Sequence, residues 1–219
     1  MKKNFNKYFV LSVLFFFPIF VYLFFASGVN NFAKLPILTN SISNLSDFSS
    51  LSGSKIEFEN KITVLGFWGS DVINKKVDGF NLNQKIYKRF YEFKDFQFVF
   101  VIDSSEIDII NDFKKELAVG LGSDLSNWRF LIANKKETYQ LFKTLKTDLN
   151  LSDSMSISTV FIIDKLKNLR GRDDDDDIGT LFGYNSSSVA EINNKMVDDV
   201  KVILAEYRLA LKKNNVFKN

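Results

Sequence analysis

Two polar side chains four residues apart, Ser70 and Asn74, follow an apolar run in "VLGFWGSDVIN", residues 64–74. A buried strand that opens into a polar loop is a common place for reactive groups. A serine nucleophile needs a base. The chain contains no His, and Lys75 or Lys76 would have to be buried to lose a proton. Ser70 therefore reads as a loop cap. The absence of Cys excludes disulfides, thiol redox chemistry and thiolate metal sites. The absence of His removes the commonest transition-metal ligand and the usual base near neutral pH. Met155 and Met196 are the only thioethers after Met1, and Met155 with Asn74 offers too few soft donors for Cu(I). No catalytic residue and no cofactor are expected, and the chain is not read as an enzyme.

A second candidate is the acid run "GRDDDDDIG", residues 171–179. Adjacent carboxylates repel one another, and a hard cation such as Ca²⁺ would relieve that. Asp173, Asp175 and Asp177 are the candidate ligands. The alternation and central Gly of an EF-hand loop are missing, and neighbouring side chains of an extended segment point to opposite faces. The favoured reading is a solvated loop, 172–177, offset by Arg170 and Arg172. It could also dock a basic partner. Trp68 at the strand end, Asp71 beside it and Tyr184 in "LFGYNSSS" are candidate partner contacts. Trp68 reads equally well as core, and Tyr184 as a packed loop residue.

These residues need elements to hold them. The chain has 219 residues, a formal net charge of +3 and 46% hydrophobic residues, enough for one packed domain with an appendage. Lys and Arg are spread along it, so no nucleic-acid footprint is expected. Residues 1–7 carry Lys2, Lys3 and Lys7, and residues 8–28 are uncharged and almost wholly apolar. About 20 such residues span a bilayer, and a membrane helix tolerates Pro18. Residues 8–28 read as a transmembrane signal-anchor. The basic flank puts the N-terminus in the cytoplasm and the rest in the periplasm of a bacterial inner membrane. A cleaved signal peptide is the rival, disfavoured by Phe24 where a small residue should precede a cut after Ala26.

Residues 29–54 are Ser-rich and read as a linker entering a hairpin that turns near Ser52 and Gly53. From residue 55 to 219, strands alternate with helices, which implies a mainly parallel sheet covered on both faces. "KITVLGFW", "FQFVFVID", "WRFLIA" and "STVFIID" are the strands, and "KNLRG" closes a final hairpin. The terminal helix, 189–213, opens on a capping-box spacing, Ser188 with Glu191.

Five stretches in order resemble the Sco family: "KLPIL", "DFSSLSGSKIEFENKITVLGFWGS", "FVFVIDSSEIDIINDFKKEL", "LSNWRFLIANKKETYQLFKTL" and "STVFIIDKLKNLRG". The resemblance implies an α/β, elaborated thioredoxin-like fold behind one transmembrane helix. Members of that family are membrane-anchored copper chaperones and thiol oxidoreductases of cytochrome oxidase assembly. Their Cys-x-x-x-Cys loop matches Ser70 and Asn74, and their distant His matches Ser156. All three ligands are absent, and neutral oxygens do not replace thiolates for Cu(I). The expected function is non-catalytic binding in the assembly of a membrane complex, a respiratory oxidase being the one the resemblance implies. The alternatives are a Ca²⁺-type envelope protein using Asp173 to Asp177, or a copper chaperone with atypical ligands.

Overall fold

The computed structural model describes residues 2–27, 34–45, 48–121 and 125–216. The chain divides into two units, Met1–Ala33 and Lys34–Asn219. The first unit is helix α1, Lys2–Ser27, with Pro18 inside it. Its stretch Lys7–Phe25 has a mean hydropathy of 2.4 over 19 residues, and none of it is buried. Phe15, Phe16, Phe17 and Phe20 are all exposed. This helix is long and apolar enough to cross a membrane, and apolar on every side as a lipid-facing helix is.

The second unit begins with β1 (Ile37–Thr39), β2 (Ser49–Ser50) and β3 (Ile62–Gly69). Helix α2 (Val72–Leu82) continues through a π-helical turn, Asn83–Tyr87, into α3 (Lys88–Phe90). Then come β4 (Phe96–Ile102), α4 (Ile107–Leu121), β5 (Trp128–Ile132), α5 (Lys135–Lys143), β6 (Thr159–Ile163) and β7 (Leu169–Arg170). A small hairpin follows, β8 (Arg172–Asp175) with β9 (Gly179–Leu181), and then β10 (Tyr184–Asn185). Helix α6 (Val189–Glu191), a second π-helical turn (Ile192–Met196) and α7 (Val197–Val216) close the described chain.

The main sheet runs β1-β7-β6-β3-β4-β5-β2, with β10 on β6. Strands β3, β4 and β5 are parallel, and β6 lies antiparallel to β3. Every residue of β3 and β4 is buried, because both faces of the sheet are covered. Strand alternation then sorts the core. Val64, Trp68, Phe98, Phe100, Trp128 and Phe130 share one face with α2, α4 and α7. Leu65, Phe67, Val99, Val101 and Leu131 share the other with α5. Trp68 and Phe100 lie 4.1 Å apart, and Phe100 stacks on Trp128 at 5.1 Å. Gly66 makes this stack possible, since a Cβ there would sit 2.3 Å from Phe100 Cε1.

The final hairpin forms as the sequence predicts, with Ile162 opposite Arg170. Its turn is tied by Asp164, whose carboxylate accepts from the backbone N–H of Leu166 and of Asn168. Ser188 caps the terminal helix through Glu191 N, but the Glu191 carboxylate accepts from Asn185 N, so only half of the expected box closes. The segment 29–54 differs from the predicted linker. From Lys34 onward it belongs to the second unit. Leu35, Ile42 and Leu45 are buried, β1 pairs with β7, and β2 pairs with β5. The turn at Gly53 exists, with φ +71 and its N–H on Ser50 O. The strand before it bonds across to β5 instead of back to the following residues, so the predicted early hairpin is not formed. Serine-rich composition marks the turn but not the partner, and the scattered Leu and Ile decide that the segment packs.

The Gly66 contact gives a direct test. Gly66→Ala should lower stability by about 1–3 kcal/mol through overpacking against Phe100. The measurement is urea unfolding, where the midpoint should fall with an unchanged slope.

Candidate functional site

Strand β3 ends at Gly69, where the 152–157 loop lies directly on it. Gly69 has φ +48, and a Cβ there would stand 1.9 Å from Ser154 O. Only glycine meets both conditions. The loop is held by Ser70 N donating to Ser154 O at 2.9 Å and Ile157 N donating to Phe67 O at 2.9 Å. Met155 sits in this loop at φ +58, half-buried.

Helix α2 starts after Asp71, yet the Asp71 side chain makes no cap bond. Glu106 takes that role, accepting from Val72 N at 3.2 Å. The Asp71 carboxylate is thereby free to clasp the loop. Its Oδ1 accepts from Asn74 Nδ2 at 2.6 Å, and its Oδ2 accepts from Ser156 Oγ at 3.1 Å. The hydroxyls of Ser152, Ser154 and Ser156 form a closed ring at 2.8–3.0 Å. The three positions singled out in the sequence are thus brought to one edge. Asn74 and Ser156 share Asp71, and Ser70 is tied by its backbone to Ser154. They present hard oxygens and no soft donor.

This edge offers no activated nucleophile. Ser70 Oγ has the Ser154 carbonyl as its neighbour at 3.4 Å. Lys75 reaches Ser158 Oγ at 2.8 Å, and Lys76 reaches Glu116 at 2.7 Å, so neither is directed at Ser70. The beginning of α2 does leave two apolar side chains outside, Ile73 at 62% and Val77 at 66% exposure. Their i, i+4 spacing places them on one helix face next to Asn74.

Trp68 and Tyr184 are not surface contacts. Trp68 is fully buried against Phe100 and Phe113, because strand alternation turns it into the aromatic face of the sheet. Tyr184 is fully buried too, and its hydroxyl donates to Asp199 Oδ2 at 2.7 Å. Burial first, and then the neighbouring Asp199 charge, push that hydroxyl well above the ordinary tyrosine range. Of the three contact candidates, only Asp71 remains at the surface edge, half-buried.

The acid run is also corrected. It folds into the β8–β9 hairpin rather than an open loop, with Asp175 opposite Gly179. Asp173 is exposed, whereas the Asp175 side chain is buried and pairs with Lys195 Nζ at 2.7 Å. Asp177 reaches the same ammonium at 2.6 Å. Arg172 pairs with Asp199 at 2.7 Å and approaches Asp175 at 3.7 Å. Among the described residues no three acids are gathered for a metal ion. Lys195, twenty residues away on the second π-helical turn, supplies the positive charge that a cation would have supplied. Its hydrogen bond holds the Asp175 carboxyl below the usual carboxylate range. Nothing in the acid run itself points to Lys195.

Two tests follow from this geometry. Asp71→Ala should cost about 1–3 kcal/mol, since both Asn74 and Ser156 lose their acceptor. Asn74→Ala should cost less, and chemical denaturation compares the two. The depressed carboxyl of Asp175 adds stability at pH values above its unfolded value of 3.8, and that contribution is lost as pH falls through the folded value. Asp175→Asn should therefore be less stable than the parent at neutral pH, with the gap closing below pH 3.8. Thermal unfolding across an acid pH series reads this out.

No protein-family model matches the sequence, and no curated protein matches it. Solved structures do. BsSco, a member of the Sco family of cytochrome c oxidase assembly proteins, is 13% identical. The match covers 78% of this chain and 98% of that one with a TM-score of 0.53. A candidate electron transport protein from Aquifex aeolicus VF5 is 17% identical, over 76% of this chain and 98% of that one, with a TM-score of 0.50. At such identities the likeness is one of fold. The domain has the thioredoxin-like fold of Sco structures, in a chain without a single cysteine.

Proposed function

We propose that this chain is a Sco-type protein that has given up copper and thiol chemistry and works by binding. In this reading α1 anchors it in a bacterial inner membrane, with the N-terminus cytoplasmic and the folded domain periplasmic. Lys2, Lys3 and Lys7 before the apolar span support that orientation. The domain serves as a non-catalytic assembly factor for a membrane complex, with a respiratory oxidase as first candidate.

The observation that carries the reading is the Asp71 clasp. Asn74 and Ser156, in the positions where the family's ligands are expected, donate to one carboxylate through the Asn74 amide nitrogen and the Ser156 hydroxyl. That arrangement fixes the edge as a rigid polar surface, which suits recognition better than exchange of a soft metal. Ile73 and Val77 give the same edge an apolar contact. A partner that buries them would gain the hydrophobic contribution that solvent now withholds.

Capture from native membranes tests this. The tagged chain is crosslinked, solubilised gently, and its partners are identified by mass spectrometry. Oxidase subunits or their assembly factors should be enriched, and Ile73→Asp with Val77→Asp should cut that recovery about tenfold. Steady recovery of some other envelope complex, without oxidase components, would refute the oxidase assignment. Stoichiometric, tight binding of Cu(I) under anaerobic conditions would overturn the loss of copper chemistry.

A further inference from the structure

Arg170 is buried on β7, between β1 and β6, and joins two distant parts of the chain. Its Nε donates to Leu35 O at 2.7 Å, and its Nη2 donates to Glu206 on α7 at 2.6 Å. The third bond goes to Asp164 at 3.0 Å. Residue 35 is thereby held beside the turn of α7 that carries Glu206. Residues 28–33 connect the end of α1 to Lys34, and a link that short spans at most about 25 Å. Chain length alone therefore bounds how far Lys34 can stand from the end of α1.

The same end is basic once its ion pairs are counted. Glu206 is taken by Arg170, and Asp95 by Lys165 and Lys61. Among the described residues, Lys94 and Arg208 have no ion pair. Lys94, Lys165 and Arg208 line a cleft of about 160 Å³ together with Phe93 and Tyr207. Lys165 Nζ lies 5.4 Å over the Tyr207 ring. Phe93 is exposed, so the cleft combines cations with aromatic edges as interfacial residues do. Helix α7 continues past the cleft through "RLALKKNNV". After Glu206 the sequence holds Arg208, Lys212, Lys213 and Lys218 and no acid.

We propose that the cleft docks on anionic phospholipid headgroups through Lys94 and Arg208. The docking rests on the membrane anchoring of α1. It would hold the domain with β3 pointing away from the bilayer. Ile62, which begins β3, lies at the cleft, and Gly69, which ends it, lies at the Asp71 edge. The clasped edge would then face a partner.

The test exploits the cysteine-free sequence. Ala205→Cys, exposed on α7 one turn before Arg208, gives the full chain one thiol for a fluorophore, and Asp153→Cys gives a control label at the opposite end. Each chain is placed in nanodiscs of phosphatidylcholine, with or without phosphatidylglycerol, that contain a lipid carrying a quencher on its headgroup. The label at 205 should be quenched in discs with phosphatidylglycerol and released by added salt. The label at 153 should stay bright. Lys94→Ala and Arg208→Ala should each lower the ratio of docked to free domain about fivefold. Equal quenching in both kinds of disc, or none in either, would overturn the docking; the latter is also the result for a cleft that binds only protein. Failure of the chain to co-purify with discs would instead remove the anchor, and the docking with it.

Discussion

Strand β3 sets the terms for the rest of the domain. It lies between parallel β4 and antiparallel β6, with every residue buried. A strand with no access to water must satisfy all its backbone groups through neighbours and fill both faces with apolar side chains. Residues on one side of it meet the aromatic stack of Trp68, Phe100 and Trp128. Those on the other meet Phe142 and Phe161. The missing side chain at Gly66 lets Phe100 cross the strand, and the missing side chain at Gly69 lets the 152–157 loop close on its end. The position of the candidate site is a consequence of that second close approach.

At this end the polar side chains hold the 152–157 loop in place. Ser70, Asn74 and Ser156 carry neutral, hard oxygens. The Asn74 amide nitrogen and the Ser156 hydroxyl donate to Asp71, and Ser156 also belongs to the serine ring. The carboxylate is a firm anchor for the loop, because hydrogen bonds to a charged acceptor are stronger than those between neutral groups.

Buried charge is handled by networks that tie hairpins to the terminal helix. Arg170 joins Asp164, Leu35 and Glu206. Arg172, Asp199 and Tyr184 form a second group, and Lys195 with Asp175 and Asp177 a third beside it. Buried ions add little net stability over apolar groups of the same shape, but removing one partner strands the other. Such networks fix where α7 lies against the sheet.

Much of this fold was legible from residue pattern alone. The continuous apolar runs gave the strands, the closing hairpin followed "STVFIID", and the uncharged span before residue 28 gave a helix fit for a membrane. The resemblance to Sco sequences picked out Ser70, Asn74 and Ser156, which the structure does bring together. What the sequence could not contain was the partner of each side chain. Trp68 and Tyr184 have the composition of contact residues, and only the direction of a strand and the placement of α7 bury them. The aspartate run carries a repulsion that invites a cation, and a lysine twenty residues away answers it instead. Local periodicity fixes which residues turn inward together, because it depends on backbone geometry. Charge compensation and hydrogen bonding act across space between residues distant in the chain, so the tertiary structure alone decided them.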